Sequence, residues 1–98
     1  MTFQVFFTTA ADADLDGIID YIAEDNPLRA IEFVSELQER IYSLLREFPL
    51  SGNLYQGSRY QVFDNYVVVY DVDESAEEVY ILLVTEGHRQ WRVVLESR

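Results

Sequence analysis

Arg59-Tyr-Gln-Val-Phe-Asp-Asn-Tyr-Val-Val-Val-Tyr-Asp-Val72, followed by Val79-Tyr-Ile-Leu-Leu-Val-Thr-Glu-Gly-His-Arg89, decides the fold. β-branched and aromatic residues crowd both runs, a composition suited to a pleated, partly buried surface. Three strands are predicted, over 59–63, 66–72 and 78–85. Asp64-Asn65 is a two-residue link between the first two, and both residues tolerate the positive φ of a tight hairpin. Asp73 to Glu77 supplies the next turn. The runs 66–72 and 79–84 are apolar almost throughout, which predicts central strands with helices over one face.

Upstream lies a pair of amphipathic helices. Phe3 to Thr8 is expected to be a short strand, after which Thr9-Ala-Ala-Asp12 has the hydroxyl-to-acid spacing of a helix start. Leu15, Ile18, Ile19 and Ile22 then recur at i, i+3, i+4 and i+7, one apolar stripe. Asp12, Asp14, Asp16 and Asp20 gather toward the end where the helix dipole favours negative charge. Their spacing lacks the glycine and terminal glutamate of a calcium loop, so they predict a solvated helix face and no metal site. Asn26 is the expected N-cap of a second helix, with Pro27 in its first turn. Ala30, Val34, Leu37, Ile41, Leu44 and Phe48 alternate in steps of four and three, a seam for an antiparallel neighbour. The connection is so short that the two helices must form a hairpin. Pro49 ends the second helix, and Leu50 to Ser58 is expected to be a loop. From His88 to Leu95 the residues Trp91, Val94 and Leu95 have helical spacing, while Val93-Val94 suits a strand, and the sequence leaves the two open.

The order is β-α-α-β-β-β with an undecided C-terminal element, an α+β domain spanning residues 1–98. In it an antiparallel helical hairpin packs on one face of a mainly antiparallel sheet and buries both stripes in one core. At 98 residues the chain supports one such core. A 49% apolar content argues against disorder despite the charge.

The charge itself narrows the function. There are 18 acids and 7 bases, net −11, and every base is arginine. Residues 1–50 hold ten acids and three arginines, and residues 51–98 hold eight and four. Neither half offers a phosphate-tracking surface, so direct nucleic-acid binding by the isolated chain is not expected. A local cluster of Arg89, Arg92 and Arg98, joined by Arg59, is the one place where such binding could prevail, and ordinary surface ion pairing is the alternative. Cysteine is absent, which excludes disulfides, thiolate nucleophiles and cysteine-ligated metals. The N-terminus lacks a basic region followed by a long apolar run. No segment approaches the roughly 20 apolar residues that a membrane span needs. A soluble, unprocessed cytoplasmic protein is the expectation.

Catalytic motifs are missing. His88 has no sequence partner implying a triad, no serine sits in a nucleophile elbow, and no glycine-rich phosphate loop occurs. Tyr60, Tyr66, Tyr70 and Tyr80 lie even numbers of residues apart, so several could share a face, as sheet-stabilising aromatics or as a stacking platform. Gly87 at a strand end lets the backbone turn and exposes His88 and Arg89. Arg89 there could clamp a phosphate, a partner's carboxylate, or neighbouring Glu86.

Taken together the chain resembles the RelE/ParE superfamily of toxins from type II toxin–antitoxin systems. The resemblance is carried by Ala13-Asp14-Leu15, Ile18 and Tyr21-Ile22-Ala23, then Asn26-Pro27, Ala30, Phe33 and Leu37. Phe48-Pro49, Gly52, Arg59, Tyr66-Val-Val-Val-Tyr70 and Val84-Thr-Glu-Gly-His-Arg89 complete it. Each piece is weak alone, but their joint order is moderately specific. The resemblance implies one of two activities, ribosome-dependent mRNA cleavage in RelE-like members or inhibition of DNA gyrase in ParE-like members. The ribonucleases carry an arginine after the strand tyrosine, where this chain has Val67, another at the position of Arg89, and a late aromatic or histidine near Leu95. Only Arg89 of that set is present, and the Asn26-Pro27 junction looks like ParE, so the ParE-like branch is favoured. It implies a plasmid-stabilisation-type toxin without enzymatic activity of its own and without cofactor. The partners implied are a cognate antitoxin and DNA gyrase, and a homodimer is left open. Arg59, Arg89, Trp91 and Arg92 are the expected partner contacts, Trp91 because aromatic anchors concentrate binding energy. A RelE-like nuclease centred on Arg59 and Arg89, and a non-toxic interaction module, are the rival readings.

Overall fold

The computed structural model describes residues 2–87 and 90–97. Its elements are β1 (Gln4–Phe7), α1 (Thr9–Ala23), α2 (Pro27–Glu47), β2 (Asn53–Tyr55), β3 (Ser58–Phe63), β4 (Tyr66–Asp73), β5 (Glu78–Glu86) and α3 (Trp91–Glu96). The five strands form one sheet in the order β1-β5-β4-β3-β2. β1 runs parallel to β5, and the other pairs are antiparallel. Among the described residues no helix is long and apolar enough to cross a membrane.

Local chemistry sets the helix boundaries. α1 is capped by Thr8, one residue earlier than the expected Thr9. The Thr8 hydroxyl accepts from the Ala11 amide at 3.2 Å and donates to the Ile81 carbonyl at 2.8 Å. One side chain thus ends β1, starts α1 and ties both to β5. Asn26 caps α2 as expected, its side-chain oxygen accepting from the Arg29 amide at 3.1 Å, with Pro27 at the first helical position. At the hairpin between β3 and β4 only Asp64 takes a positive φ, of 55°.

The seam of α2 departs from the expected one in its last turns. Ala30, Val34, Leu37 and Ile41 are buried, but Leu45 rather than Leu44 fills the next position, and Phe48 is 63% exposed. A strict four-three spacing averages 3.5 residues per turn, so a straight helix drifts about 20° per heptad and rotates the next residue into the seam. Leu44 is left on the flank of the core. Phe48 has left the helix altogether as its C-cap.

The main core lies between the hairpin and one sheet face. It joins Ala11, Leu15, Val34, Leu37, Ile41 and Leu45 to Phe63, Val68, Tyr70, Val79, Ile81 and Val84. The expectation that helices cover one face is incomplete. α3 covers the other, where Trp91 packs with Val67, Val69 and Leu83 in a second, smaller core. A register shift between Val69 and Tyr70 makes this possible. Val69 pairs with Leu83 while Tyr70 pairs with Ile81, so Leu82 and Leu83 both contribute to the second core and Val84 returns to the first. The continuous apolar run of β5 therefore serves two cores, one on each face. The stretch expected to be a loop at 50–58 contains the short edge strand β2. The undecided C-terminal stretch is helical over Trp91–Glu96.

Candidate partner-binding cleft beside Trp91 and Arg92

Trp91 is the anchor of α3, 4% exposed. Its ring packs against Tyr60 at 5.0 Å and Tyr55 at 5.3 Å between centroids. The next residue, Arg92, lays its guanidinium 4.2 Å from the Trp91 ring centre, 5.4 Å from that of Tyr55 and 6.0 Å from that of Tyr60. A guanidinium over several aromatic faces is held by their quadrupoles while its N–H edge stays available. Among the described residues no ion pair or hydrogen bond ends on Arg92. The Tyr55 hydroxyl donates to Glu96 at 3.3 Å and fastens the far end of α3. Burial first, and then Glu96, push that phenol above its ordinary range.

Beside this stack opens a cleft of about 660 Å³, bounded by Tyr21, Tyr60, Tyr66, Asp64, Glu86 and Arg92 and floored in part by Val67. Burial, and secondarily Glu86, raise the Tyr66 phenol, which therefore stays a neutral donor at physiological pH. Asp64 is already paired with Arg40 at 2.6 Å. The cleft combines one available cation with three phenols and two carboxylates. Its chemistry suits a polypeptide contact better than a phosphate chain.

The expected contact residues do not converge. Trp91 and Arg92 lie together on the α3 face. Arg59 sits on β3 opposite Tyr70, on the hairpin face, and its Nη1 donates to the carbonyls of Gly52 at 2.9 Å and Leu50 at 3.1 Å. Its guanidinium braces the chain between α2 and β2. Arg89, His88 and Arg98 lie outside the described residues. The four tyrosines divide as well, with Tyr60 against Trp91, Tyr66 and Tyr70 against the hairpin, and Tyr80 stacked on Phe6 at 5.6 Å. Asp14 is spent structurally, accepting from the Val84 amide at 3.0 Å. Among the described residues no three ligating side chains converge on a metal position. Tyr21, 61% exposed, was missed as a cleft residue. Its signal was an aromatic standing off the Leu15–Ile18–Ile22 stripe.

Residues 5–91 match the family described as the ParE toxin of the type II toxin–antitoxin system parDE. Among solved structures, a chain of the chromosomal ParDE system from P. aeruginosa is similar at 23% identity, over 87% of this chain and 96% of that one, with a TM-score of 0.73. A chain of the RelBE2 toxin–antitoxin complex from Mycobacterium tuberculosis is similar at 24% identity, over 88% and 92%, with a TM-score of 0.69. The isolated E. coli RelE toxin is similar at 14% identity, over 97% of both chains, with a TM-score of 0.59. At such identities the likeness concerns the fold. No curated protein sequence matches.

Proposed function

Because the chain belongs to the ParE toxin family of type II toxin–antitoxin systems, we propose that it inhibits DNA gyrase and is held inactive by a cognate antitoxin. The observation that carries this reading is Val67. In the ribonuclease branch of the superfamily that the sequence resembles, the position after the strand tyrosine holds an arginine. Here Val67 follows Tyr66, is 4% exposed and packs in the small core with Trp91. An apolar side chain under a tryptophan offers nothing to the charge that develops on a cleaving phosphodiester. The net charge of −11 opposes an RNA substrate further. Arg92 is the proposed contact for the target or the antitoxin, with Arg89 near it in sequence, and Trp91, expected as a contact, is buried and acts by holding Arg92 against its ring. Arg59 supports this contact only through the fold.

One feature favours the rival mRNA-cleaving reading, namely that Arg92 stands available in a cleft walled by tyrosines, an arrangement that could stack an unpaired base. Induction of the chain alone in bacteria separates the two. Growth arrest with intact transcripts, together with loss of supercoiling by purified gyrase in the presence of the purified chain, is the expected result. Ribosome-dependent transcript cleavage would transfer the function to the nuclease reading. Normal growth at good expression would remove the toxic activity and leave an interaction module.

A further inference from the structure

Two clefts meet at the end of the sheet where β4 begins and β5 ends. The first is the 660 Å³ cleft beside Arg92. The second, of about 560 Å³, lies between α1 and the end of β5. Tyr21, Tyr66 and Glu86 line both, so the two are limbs of one trough passing from the α3 face round to the hairpin face.

The lining has a consistent chemistry. Asp64, which also pairs with Arg40, and Glu86 border the first limb, and Asp14, which also accepts from the Val84 amide, and Glu86 the second, while Arg92 is the only base among the described lining residues, so acids outnumber bases along the trough. The phenol rings of Tyr21, Tyr60 and Tyr66 form the walls. On the hairpin limb the wall is cut away at Gly17, where an added Cβ would meet nothing within 4 Å.

We propose that this trough seats an extended, arginine- or lysine-bearing segment of a partner protein, laid across both faces of the domain. The inference rests on the reading that a protein partner holds this chain, and it names the chemistry of that partner's segment. Carboxylates beside phenol faces favour guanidinium and ammonium groups through charge-assisted hydrogen bonds and cation–π contact. An acidic segment would meet the field of a chain at −11. The bend round the sheet end excludes a continuous helix, which is a rod about 10 Å across. An extended chain, rising about 3.3 Å per residue, can follow it.

The test is selection from a displayed library of random twelve-residue peptides on the purified wild-type chain. Affinities of the enriched peptides are then measured at low and high salt and against Gly17→Phe. That variant places a ring in the open space of the hairpin limb. Phenylalanine forms helix more readily than glycine, so the fold is retained, and an unchanged melting temperature checks this. Peptides enriched in arginine or lysine are expected, binding more weakly as salt rises and at least ten-fold more weakly to Gly17→Phe. Enrichment of acidic or uncharged peptides, equal binding to the variant, or no enrichment at all would overturn the proposal. Peptide binding is measured on purified protein without growth arrest. A non-toxic chain that still selects basic peptides would therefore sink the toxin reading and leave this one standing.

Discussion

The amide of Gly52 donates to the hydroxyl of Tyr70 at 3.0 Å in a buried hydrogen bond across 18 residues of sequence. Tyr70 is fully buried, and this bond gives its hydroxyl a partner inside the main core. Arg59 grips the same stretch from β3 through the carbonyls of Leu50 and Gly52. The chain between α2 and β2 is thus held by one phenol and one guanidinium.

Glycine at position 52 is required by this packing. A Cβ there would run into the Tyr70 hydroxyl and lie 2.8 Å from the Tyr60 carbonyl oxygen, and that backbone atom cannot move aside cheaply. Gly52→Ala is expected to destabilise the fold by about 2–3 kcal/mol through overpacking. Thermal unfolding should show a melting temperature lower by roughly 10 °C for a domain of this size. An unchanged melting temperature would contradict the packing account.

Arg59→Ala removes two hydrogen bonds from a charged donor to backbone carbonyls. A loss of about 1–2 kcal/mol is expected, with any loss of toxicity tracking the loss of folded protein. Stability and growth arrest should be measured on the same variant. Toxicity lost at unchanged stability would make Arg59 a contact residue instead of a brace.

Trp91 and Arg92 should separate stability from binding. Trp91→Ala empties the second core and should cost about 3–4 kcal/mol, with Val67, Val69 and Leu83 uncovered. Arg92→Ala removes only cation–π contacts and should cost no more than about 1 kcal/mol. Its larger effect is expected in growth arrest and in antitoxin affinity. Denaturant titration beside an induction assay distinguishes the two outcomes, and a fully toxic Arg92→Ala would exclude Arg92 from the contact.

Alkaline pH should weaken the fold through Tyr70 and Tyr66. Burial raises the Tyr70 phenol above the usual 10.0, opposed by the Gly52 hydrogen bond and by Arg59. Burial and then Glu86 raise Tyr66. The folded state therefore favours the neutral phenols. Their contribution is fully present below pH 10.0 and is lost as pH rises through the raised values, because the unfolded chain ionises first. Melting temperature against pH should be level to about pH 9 and fall above it, and Tyr70→Phe should make the fall shallower. The same slope in wild type and Tyr70→Phe would show that Tyr70 plays no part.

Everything that depends on near neighbours could be taken from the residues themselves. Asn26-Pro27 starts a helix, Asp64-Asn65 turns a hairpin, and the stripe of Leu15, Ile18 and Ile19 faces a core, because caps, turns and helical periodicity act within a few residues. Together with the order of apolar runs they specify an α+β domain with a helical hairpin on a sheet, and the family follows from their joint order. Contacts between distant segments required the assembled fold. Three-residue β2 is a strand only because Asn53, Leu54 and Tyr55 find Tyr60, Arg59 and Ser58 across a turn. α3 finds its place on a face built by Val67 and Val69 of β4, to which the bulge at Leu82 of β5 adds both Leu82 and Leu83. The face that Trp91 covers decides that Arg92 and Arg59 point to opposite sides of the sheet. Side-chain alternation along a strand has period two, but which side a later helix closes is chosen by burial of the whole sheet and by no local pattern.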